Sequence, residues 1–308
     1  SIQYPDTGLR RLVSTNESGL YLISGLPVGA IVLTAEKQGF RTIQRDTTMR
    51  IGETKTLDFN LDILANETSV QVVDSAELVR NNAATGATFE NSQISRLPVN
   101  GRNWGNLMSL VPGAIDTGAG NGTSVRFMGR GGDDSNFRVD GATTGHPWLP
   151  HIAGYVPSLD AIETVSIVSN SFDAEQGYAG GAAVNVQIKS GTNALHGSGY
   201  EYHFNQHLKA RPYFLPASQG KEKRVVNQWG GTLGGPIIKN KLWYFASTRY
   251  WISSAYQPGN YYNKTQGTLF YTPDLTRPAY ELNYYKEASA RLNWQATQRN
   301  KFTASYSF

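Results

Sequence analysis

The sequence contains no cysteine, and this absence removes three classes of protein at once. A disulfide-stapled fold, a zinc site built on thiolates and an enzyme with a cysteine nucleophile all require that side chain. Charge is also scarce, because only 17% of the 308 residues are Asp, Glu, Lys or Arg, against a usual fraction of about 25%. No apolar run approaches the roughly 18 residues of a membrane-spanning helix, so no such helix is predicted within the sequence.

The motifs of common catalytic and cofactor sites are missing as well. The sequence has no Gly-x-Ser-x-Gly motif, no Walker loop and no dinucleotide fingerprint, and Gly129–Gly132 lacks the strand-then-helix context that phosphate binding needs. No catalytic residue, metal site or cofactor is therefore expected, and the protein is predicted not to be an enzyme. The chain begins at Ser1 without a charged and apolar leader, as a mature, trimmed or incomplete sequence would.

Aromatic residues are plentiful, with 6 Trp, 17 Tyr and 12 Phe, which argues for a folded chain. The net charge of +4 is unevenly spread: it is 0 over residues 1–64, −5 over residues 65–195 and +9 over residues 196–308. These shifts predict three segments. The basic residues of the last segment are dispersed among aromatic residues, with no run longer than Lys223–Arg224, so nucleic-acid binding is not expected.

Residues 1–62, the N-terminal region, have the pattern of short strands separated by turns. Apolar residues alternate with polar ones around Leu20 and Leu22, along Ile31–Ala35 and along Thr56–Leu61, and Ser24–Gly29 carries turn signals. This pattern predicts a small β-sandwich.

Residues 63–195, the middle region, combine a short helix with strands. Apolar residues spaced three and four apart predict an amphipathic helix over Trp104–Val111. Asn136–Gly141 alternates and ends in Asp-Gly, which is typical of a tight hairpin turn. The carboxylates Asp133, Asp134 and Asp140 could form an acid/base pair or a calcium site, but a solvated turn is the preferred interpretation.

Residues 196–308, the C-terminal region, show strands with one apolar and one polar face. The alternation is clearest at Tyr200–Asn205, Ala288–Gln295 and Phe302–Phe308, and two less regular strands are predicted near residues 224–234 and 241–252. The predicted connections are long at 206–223 and 253–284 and short at 235–240 and 296–300. That rhythm is expected of an up-and-down transmembrane β-barrel.

These segments resemble known families. The resemblance to the carboxypeptidase-regulatory-like domain, a transthyretin-type sandwich, rests on Glu17–Tyr21, Gly25–Gly29, Lys37–Phe40 and Ile51–Thr54, without the usual opening strand. The resemblance to the plug domain of TonB-dependent outer-membrane transporters, closest to the Oar-like branch, rests on Ile94–Asn103, Val125–Gly132, Asn136–Gly141, Leu159–Ile167 and Ala174–Asn193. The first barrel hairpin of that family resembles Gln228–Pro236 and Lys241–Phe245.

The resemblance implies a mainly β fold in three parts. A transthyretin-like β-sandwich, truncated at its N-terminal end, is expected over residues 1–62, and a linker with an α+β plug domain over residues 63–195. Residues 196–308 are expected to form the first five or so strands of a transmembrane barrel of about 22 strands. Because open sheet edges do not persist in lipid, the sequence is expected to be a fragment of a longer chain.

The resemblance also implies a function. A receptor of this family lies in the outer membrane of a Gram-negative bacterium, among its lipids, and takes up a scarce small ligand (siderophore, cobalamin, oligosaccharide or peptide) by plug movement coupled to a TonB-type protein in the periplasm. The candidate TonB box, the segment that pairs with this protein, is Thr68, Ser69, Val70, Gln71, Val72 and Val73. A plain linker strand is the alternative interpretation of these residues.

Candidate ligand contacts come from two places. His146, Trp148 and His151 lie in a predicted plug loop, and Tyr261 and Tyr262 lie in the predicted outer loop 253–284. Ordinary loop packing and a girdle at the membrane interface are the alternatives for the two sets.

Arg291 is expected to contact the plug, because it lies on the polar face of its strand and the middle region is acidic. A surface adhesion or carbohydrate-binding β-protein is the alternative function. Such a protein would not need the long and short rhythm of connections or an acidic plug.

Overall fold

A computed structural model describes residues 1–49, 54–63, 71–73, 85–117, 124–131, 134–146, 148–149, 153–170, 177, 179–211, 213–215, 221–297 and 300–308. The described part of the chain is mainly β, with 51% of those residues in strands and few helices. Its described strands are β1 (Ile2–Gln3), β2 (Arg10–Arg11), β3 (Gly29–Ala35), β4 (Ile43–Met49), β5 (Gln71–Val73), β6 (Thr85–Glu90), β7 (Ala114–Asp116), β8 (Val125–Phe127), β9 (Asn136–Val139), β10 (Ala142–Thr143), β11 (Ile162–Asn170), β12 (Ala183–Ile188), β13 (His196–Asn205), β14 (Arg224–Ile238), β15 (Leu242–Asn263), β16 (Pro273–Gln295) and β17 (Lys301–Ser307). Helix α1 is Asn91–Ile94, and 3₁₀ helices span Asn100–Arg102, Trp104–Leu110, Leu159–Ala161 and Gln206–Leu208.

The chain divides into two compact units. The first contains residues 1–196, 234–245 and 291–304, and the second contains residues 197–233, 246–290 and 305–308. In the described part of the chain, no helix is both long and apolar enough to cross a membrane.

The N-terminal region forms a sheet in the order β2-β1-β3-β4-β5. Strands β3 and β4 pair antiparallel from Gly29 opposite Met49 to Ala35 opposite Ile43, as expected for the alternating residues of β3. The middle region supplies the edge strand β5, which pairs parallel to β4. A small core lies against this sheet, made of Ile2, Tyr4, Leu9, Ile31, Leu33 and Leu57.

Two predicted strands of this region are absent. Leu20 and Leu22 are exposed and lie outside strands, and Thr56–Leu61 alternates in burial without forming a strand. The alternation at Thr56–Leu61 reflects the packing of Leu57 into the core rather than backbone pairing, because period-two burial does not itself require a ladder partner. Among residues 1–49 and 54–63, the strands belong to one sheet, without the second sheet of the expected sandwich.

The middle region is built on a second sheet, in the order β10-β9-β12-β11-β6. Strands β11 and β12 are antiparallel and buried along most of their length, while β9 pairs parallel to β12. The predicted helix is present as the 3₁₀ helix Trp104–Leu110, and it buries Trp104, Leu107 and Met108 in the core of this region.

The C-terminal region forms a sheet in which β13 to β17 are neighbours in chain order. Five strands lie where the alternation predicted them, but β15 and β16 are 22 and 23 residues long. The turn between them therefore occupies only residues 264–272, and the predicted outer loop 253–284 is wrong. The alternation weakens beyond residue 252 while the backbone stays extended, so the hydropathy pattern underestimated the strands.

Over residues 243–253 of β15 and 287–295 of β16, one face is buried and the other is partly or fully exposed. The buried face carries Phe245, Arg249, Glu287, Arg291 and Asn293, and the residues between them along each strand point the other way. This alternation puts the charged side chains of Arg249, Glu287 and Arg291 on the buried face.

Candidate functional site

The turn between β9 and β10 places one carboxylate at the edge of the middle sheet. Asp140 and Gly141 both have positive φ, +51° and +85°, as a two-residue hairpin turn of the Asp-Gly type requires. The backbone N–H of Asp140 donates to Val186 O over 2.9 Å, in line with the parallel pairing of β9 and β12. The turn is thereby fixed beside the end of β12.

Asp140 is a hydrogen-bonded side chain rather than a solvated one. Its Oδ1 accepts from Gln187 Nε2 over 2.7 Å and from the backbone N–H of Ile188 over 3.1 Å. Only 16% of its side chain is exposed. The expectation of a solvated turn is therefore wrong for Asp140, because the hairpin folds its carboxylate back onto β12.

Arg291 reaches the same place from β16. Its Nη1 donates to Asp140 Oδ1 over 3.1 Å and to the carbonyl oxygen of Ile188 over 2.7 Å, and 9% of its side chain is exposed. The alternation along β16 puts Arg291 on the buried face. We call Asp140, Gln187, Ile188 and Arg291 the latch.

Burial sets the electrostatics of the latch. It raises the pKa of the Asp140 carboxyl above its ordinary value, while the charge of Arg291 and the hydrogen bond from Ile188 act in the opposite direction. An ion pair withdrawn from water gains little net stability, but removing one partner leaves an uncompensated buried charge.

The contact of the middle region with β15 also has an apolar part. Phe245 is buried in the same core as Trp104 and Phe137. The latch thus lies beside apolar packing, a combination that the charge pattern of the sequence did not indicate.

A second polar joint lies where the chain leaves the middle region for β13. Asn193 Oδ1 accepts from the backbone N–H of Asn240 and from Trp243 Nε1, both over 2.8 Å. Asn193 Nδ2 donates to Asn240 Oδ1 over 2.6 Å, and its backbone N–H donates to Asp6 O over 3.0 Å. We call Asp6, Asn193, Asn240 and Trp243 the Asn193 cluster. It connects all three regions within the first compact unit, and no motif in the sequence pointed to it.

The loop candidates for ligand contact are partly described. His146 Nδ1 accepts from the backbone N–H groups of Trp148 and Leu149 over 3.3 and 3.2 Å, which closes a turn. Trp148 is 87% exposed at this turn. His151 lies outside the described residues.

The tyrosine candidates lie on β15 instead of in a loop. Tyr262 packs under the guanidinium of Arg277, with 4.6 Å from Cζ to the ring centroid. The backbone of Tyr261 exchanges hydrogen bonds with the hydroxyl of Tyr271 over 3.3 and 3.0 Å. These residues belong to the second compact unit, whereas His146 and Trp148 belong to the first.

The candidate TonB box falls half inside the described part of the chain. Thr68, Ser69 and Val70 lie outside it, while Gln71, Val72 and Val73 form β5 opposite Ile43–Arg45. Asp133 also lies outside it. Across the described residues, no group of three or more His, Cys, Asp or Glu side chains is placed to hold a metal ion.

Comparison with known proteins matches two stretches of the chain to family models. Residues 1–62 match the carboxypeptidase regulatory-like domain, and residues 187–268 match an outer membrane β-barrel domain. The chain is 26% identical over 258 residues to the TonB-dependent transporter Oar of Myxococcus xanthus, covering 79% of this chain and 24% of the relative. The chain thus spans about a quarter of the length of this curated relative.

The solved structures to which the chain is similar include two from Pseudomonas aeruginosa. A mutant of the ferric enterobactin receptor PfeA is 18% identical with a TM-score of 0.47, over 72% of this chain and 32% of that one. The siderophore receptor PirA is also 18% identical with a TM-score of 0.47, over 74% of this chain and 34% of that one.

The matched barrel domain and the curated relative together indicate the outer membrane of a Gram-negative bacterium as the location of the protein. The relative is a transporter rather than an enzyme. Over most of its length the chain is therefore similar to the TonB-dependent transporter Oar, and it matches a carboxypeptidase regulatory-like domain at residues 1–62 and an outer membrane β-barrel domain at residues 187–268.

Proposed function

We propose that the protein is a TonB-dependent receptor that takes up a scarce ligand through energy-coupled movement of the middle region, which acts as its plug. The observation that carries this proposal is the latch. Arg291 of a barrel strand and Asp140 of the middle region form a buried, hydrogen-bonded ion pair. A static domain interface could be filled by apolar side chains at no loss of stability, whereas a charged joint can be re-solvated when the plug moves.

The coupling segment of this proposal is Thr68–Val73. Its three described residues adopt an extended strand that pairs parallel to β4, so the segment is able to add to a sheet edge. Binding to a coupling protein by strand addition uses the same backbone groups. The segment would therefore have to leave β4 before it could pair with a partner.

The ligand side of this proposal is the turn at His146–Leu149. Trp148 presents a large aromatic surface there, which suits stacking on a flat or sugar-containing ligand. Siderophores, cobalamin, oligosaccharides and peptides all fit an aromatic surface of this kind, so the ligand is proposed as a scarce solute from these classes.

The proposal is tested in the full-length protein by deleting residues 68–73 and measuring its binding to the periplasmic domain of the TonB-type protein by titration calorimetry. We expect the deletion to abolish binding, because the added strand is lost. Deletion of six residues farther along the same linker, residues 76–81, is the matched control and should leave binding intact. Unchanged binding after the first deletion would contradict the assignment of the segment, and ligand binding without any uptake would favour an adhesion or carbohydrate-binding function.

A further inference from the structure

A cavity of about 1140 Å³ lies within the first compact unit. All three regions contribute to its walls. They include residues 19–31 of the N-terminal region, Gln187 and Ile188 at the end of β12, and residues 300–303, which lead into β17. Pockets that bind small molecules usually enclose about 300–1,000 Å³, so this cavity has room for a small solute.

Three cationic side chains line this cavity. They are Arg11 of β2, Arg291 of β16 and Lys301 of β17, and we call them the cationic cluster. The charged side chains that act on Lys301 are Arg291 and Arg11, both of them positive. Like charges around a shared space repel one another, so an anion that enters the cavity stabilises all three.

Most of the charge of the cationic cluster is not balanced by neighbouring carboxylates. Arg291 is paired with Asp140 in the latch. Within the part of the chain that the structure describes, neither Arg11 nor Lys301 takes part in an ion pair. Two positive charges are therefore left for a ligand.

The cavity also has an acidic part, which is separate from the cationic cluster. Asp6, Asp58 and Glu163 line the cavity, but none of them is among the charged groups that act on Lys301. Glu163 has Lys189 as its opposite charge and Asp6 as a like charge. The acidic part therefore does not neutralise the cationic cluster.

The two arginines have donors without partners. Arg11 Nη1 donates to Ser24 O over 3.1 Å, but Arg11 Nε is buried and has no hydrogen-bond partner among the described residues. Arg291 Nε is in the same situation, although only 9% of the side chain is exposed and Nη1 is used by the latch. An unsatisfied buried donor costs free energy, and a guanidinium presents its donors in a planar fork that fits carboxylate and phosphate oxygens. Both arginines are thus able to bind an anion.

An unpartnered acceptor lies beside these donors. Asn293 lines the cavity, is 2% exposed and lies two residues from Arg291, on the same face of β16. Its Nδ2 donates to Thr303 Oγ1 over 2.9 Å, while its Oδ1 is buried without a partner among the described residues. An amide oxygen accepts from a hydroxyl group. The site therefore fits an anion that also carries a hydroxyl.

The charge of the cationic cluster favours a phosphate over a carboxylate. A carboxylate brings one negative charge, whereas a phosphate monoester carries about −1.5 to −2 at pH 7 and has three strong acceptor oxygens. Two uncompensated cations are balanced by the second group and only half balanced by the first. Three oxygens also accept from several donors at once.

We propose that this cavity binds a soluble phosphate monoester, with the phosphate held by the cationic cluster and a hydroxyl group of the ligand held by Asn293. Arg291 and Asn293 lie on the buried face of β16, which a lipid headgroup on the exposed face does not reach. Because Arg11 belongs to the N-terminal region and Lys301 to the C-terminal region, the bound phosphate holds the two regions together. The inference goes beyond the proposed function and requires neither the coupling segment nor transport.

The test measures binding of glycerol 3-phosphate to the full-length protein in detergent by titration calorimetry. Lys301→Gln and Arg11→Gln should each weaken binding about tenfold or more, since each removes a hydrogen bond between charged groups. Arg10→Gln is the matched control, because Arg10 is the exposed neighbour of Arg11 and does not line the cavity. It should bind like the wild type. Lys301→Arg should retain binding, which separates loss of charge from loss of fold.

Two further probes and a second readout test the class of ligand. Glycerate, a carboxylate on a similar skeleton, should bind more weakly than glycerol 3-phosphate, and glycerol should not bind. Glycerol 3-phosphate should also slow limited proteolysis of the N-terminal region in the wild type and not in Lys301→Gln.

The inference is overturned if the wild type does not bind glycerol 3-phosphate, or if both glutamine variants bind it as tightly as the wild type does. Glycerate that binds as tightly as glycerol 3-phosphate would also contradict it. Binding of phosphatidic acid in vesicles without binding of glycerol 3-phosphate would place the phosphate at a lipid surface and refute a soluble ligand. Each of these results would leave the proposed function untouched, which is tested by the deletion of residues 68–73.

Discussion

Arg291 Nη1 donates a hydrogen bond to Asp140 Oδ1 over 3.1 Å, although 151 residues separate the two side chains in sequence. The same guanidinium nitrogen donates to Ile188 O, so the latch couples a strand of the C-terminal region both to a turn and to the end of β12. The latch is therefore the contact to mutate in testing how the middle region is held against the C-terminal region.

The first prediction concerns the charge of Arg291. Arg291→Glu should raise the passive ion conductance of the full-length protein in planar bilayers, because it replaces a buried attraction with a repulsion of Asp140. Breaking one partner of a buried pair typically costs about 3–5 kcal/mol, enough to loosen the joint. Conductance equal to that of the wild type would contradict a role in seating the plug.

Two controls belong with this measurement. Arg277→Glu makes the same charge change on an exposed residue of the same strand and should leave conductance unchanged. The exchange Asp140→Arg with Arg291→Asp restores opposite charges and should bring the conductance part of the way back to the wild-type value. If the double exchange conducts ions as well as Arg291→Glu does, the size of the two side chains rather than their charge would determine the contact.

The second prediction concerns pH. Burial raises the pKa of the Asp140 carboxyl in the folded protein. The contribution of Asp140 to the free energy of unfolding is therefore fully present below the unfolded pKa of about 3.9, and it is lost as the pH rises through the folded pKa. Asp140→Asn removes this titration. The unfolding temperature of the variant minus that of the wild type should therefore increase between about pH 3 and pH 7, measured by circular dichroism in detergent. A difference that stays flat or falls with pH would show that the folded pKa is not raised.

The parts of this site that the sequence predicted are those that depend on local rules. An Asp-Gly pair between alternating residues is sufficient to predict the turn at Asp140, and period-two alternation is sufficient to put Arg291 on the polar face. The partner of Arg291 was not predictable, because which turn meets which strand depends on the packing of β9 against β12. The same limit explains why Asp140 was expected in solvent.

The errors elsewhere have a related cause. Hydropathy follows the environment of side chains, whereas a strand is defined by its backbone partners. At Tyr261 and Tyr262 the sequence no longer alternates between apolar and polar residues, while the backbone stays in β15. At Thr56–Leu61 the side chains alternate while the backbone has no strand partner. The Asn193 cluster is made of common polar residues from three regions, and no spacing rule could have found it.

The third prediction concerns Asn193. Asn193→Ala should destabilise the first compact unit by about 1–3 kcal/mol, because Trp243 Nε1 and the N–H of Asn240 lose their acceptor. Asn193→Asp keeps that acceptor and should lose less. The measurement is the rate of limited proteolysis where the N-terminal region contacts the Asn193 cluster. Equal cleavage rates for the two variants would contradict the role of the side-chain oxygen.

The last prediction concerns a glycine beside this cluster. A Cβ added to Gly191 would lie 2.2 Å from Tyr244 O and 2.9 Å from Gly235 O. Both are backbone atoms that cannot rotate away, so Gly191→Ala must push the end of the middle region off the β14–β15 hairpin. Overpacking of this kind typically costs about 1–3 kcal/mol, and the midpoint of thermal unfolding should fall accordingly. Gly199→Ala is the matched control, since a Cβ there meets nothing within 4 Å. If the two variants unfolded at the same temperature, the junction would have to be looser than the close approach of Gly191 to Tyr244 implies.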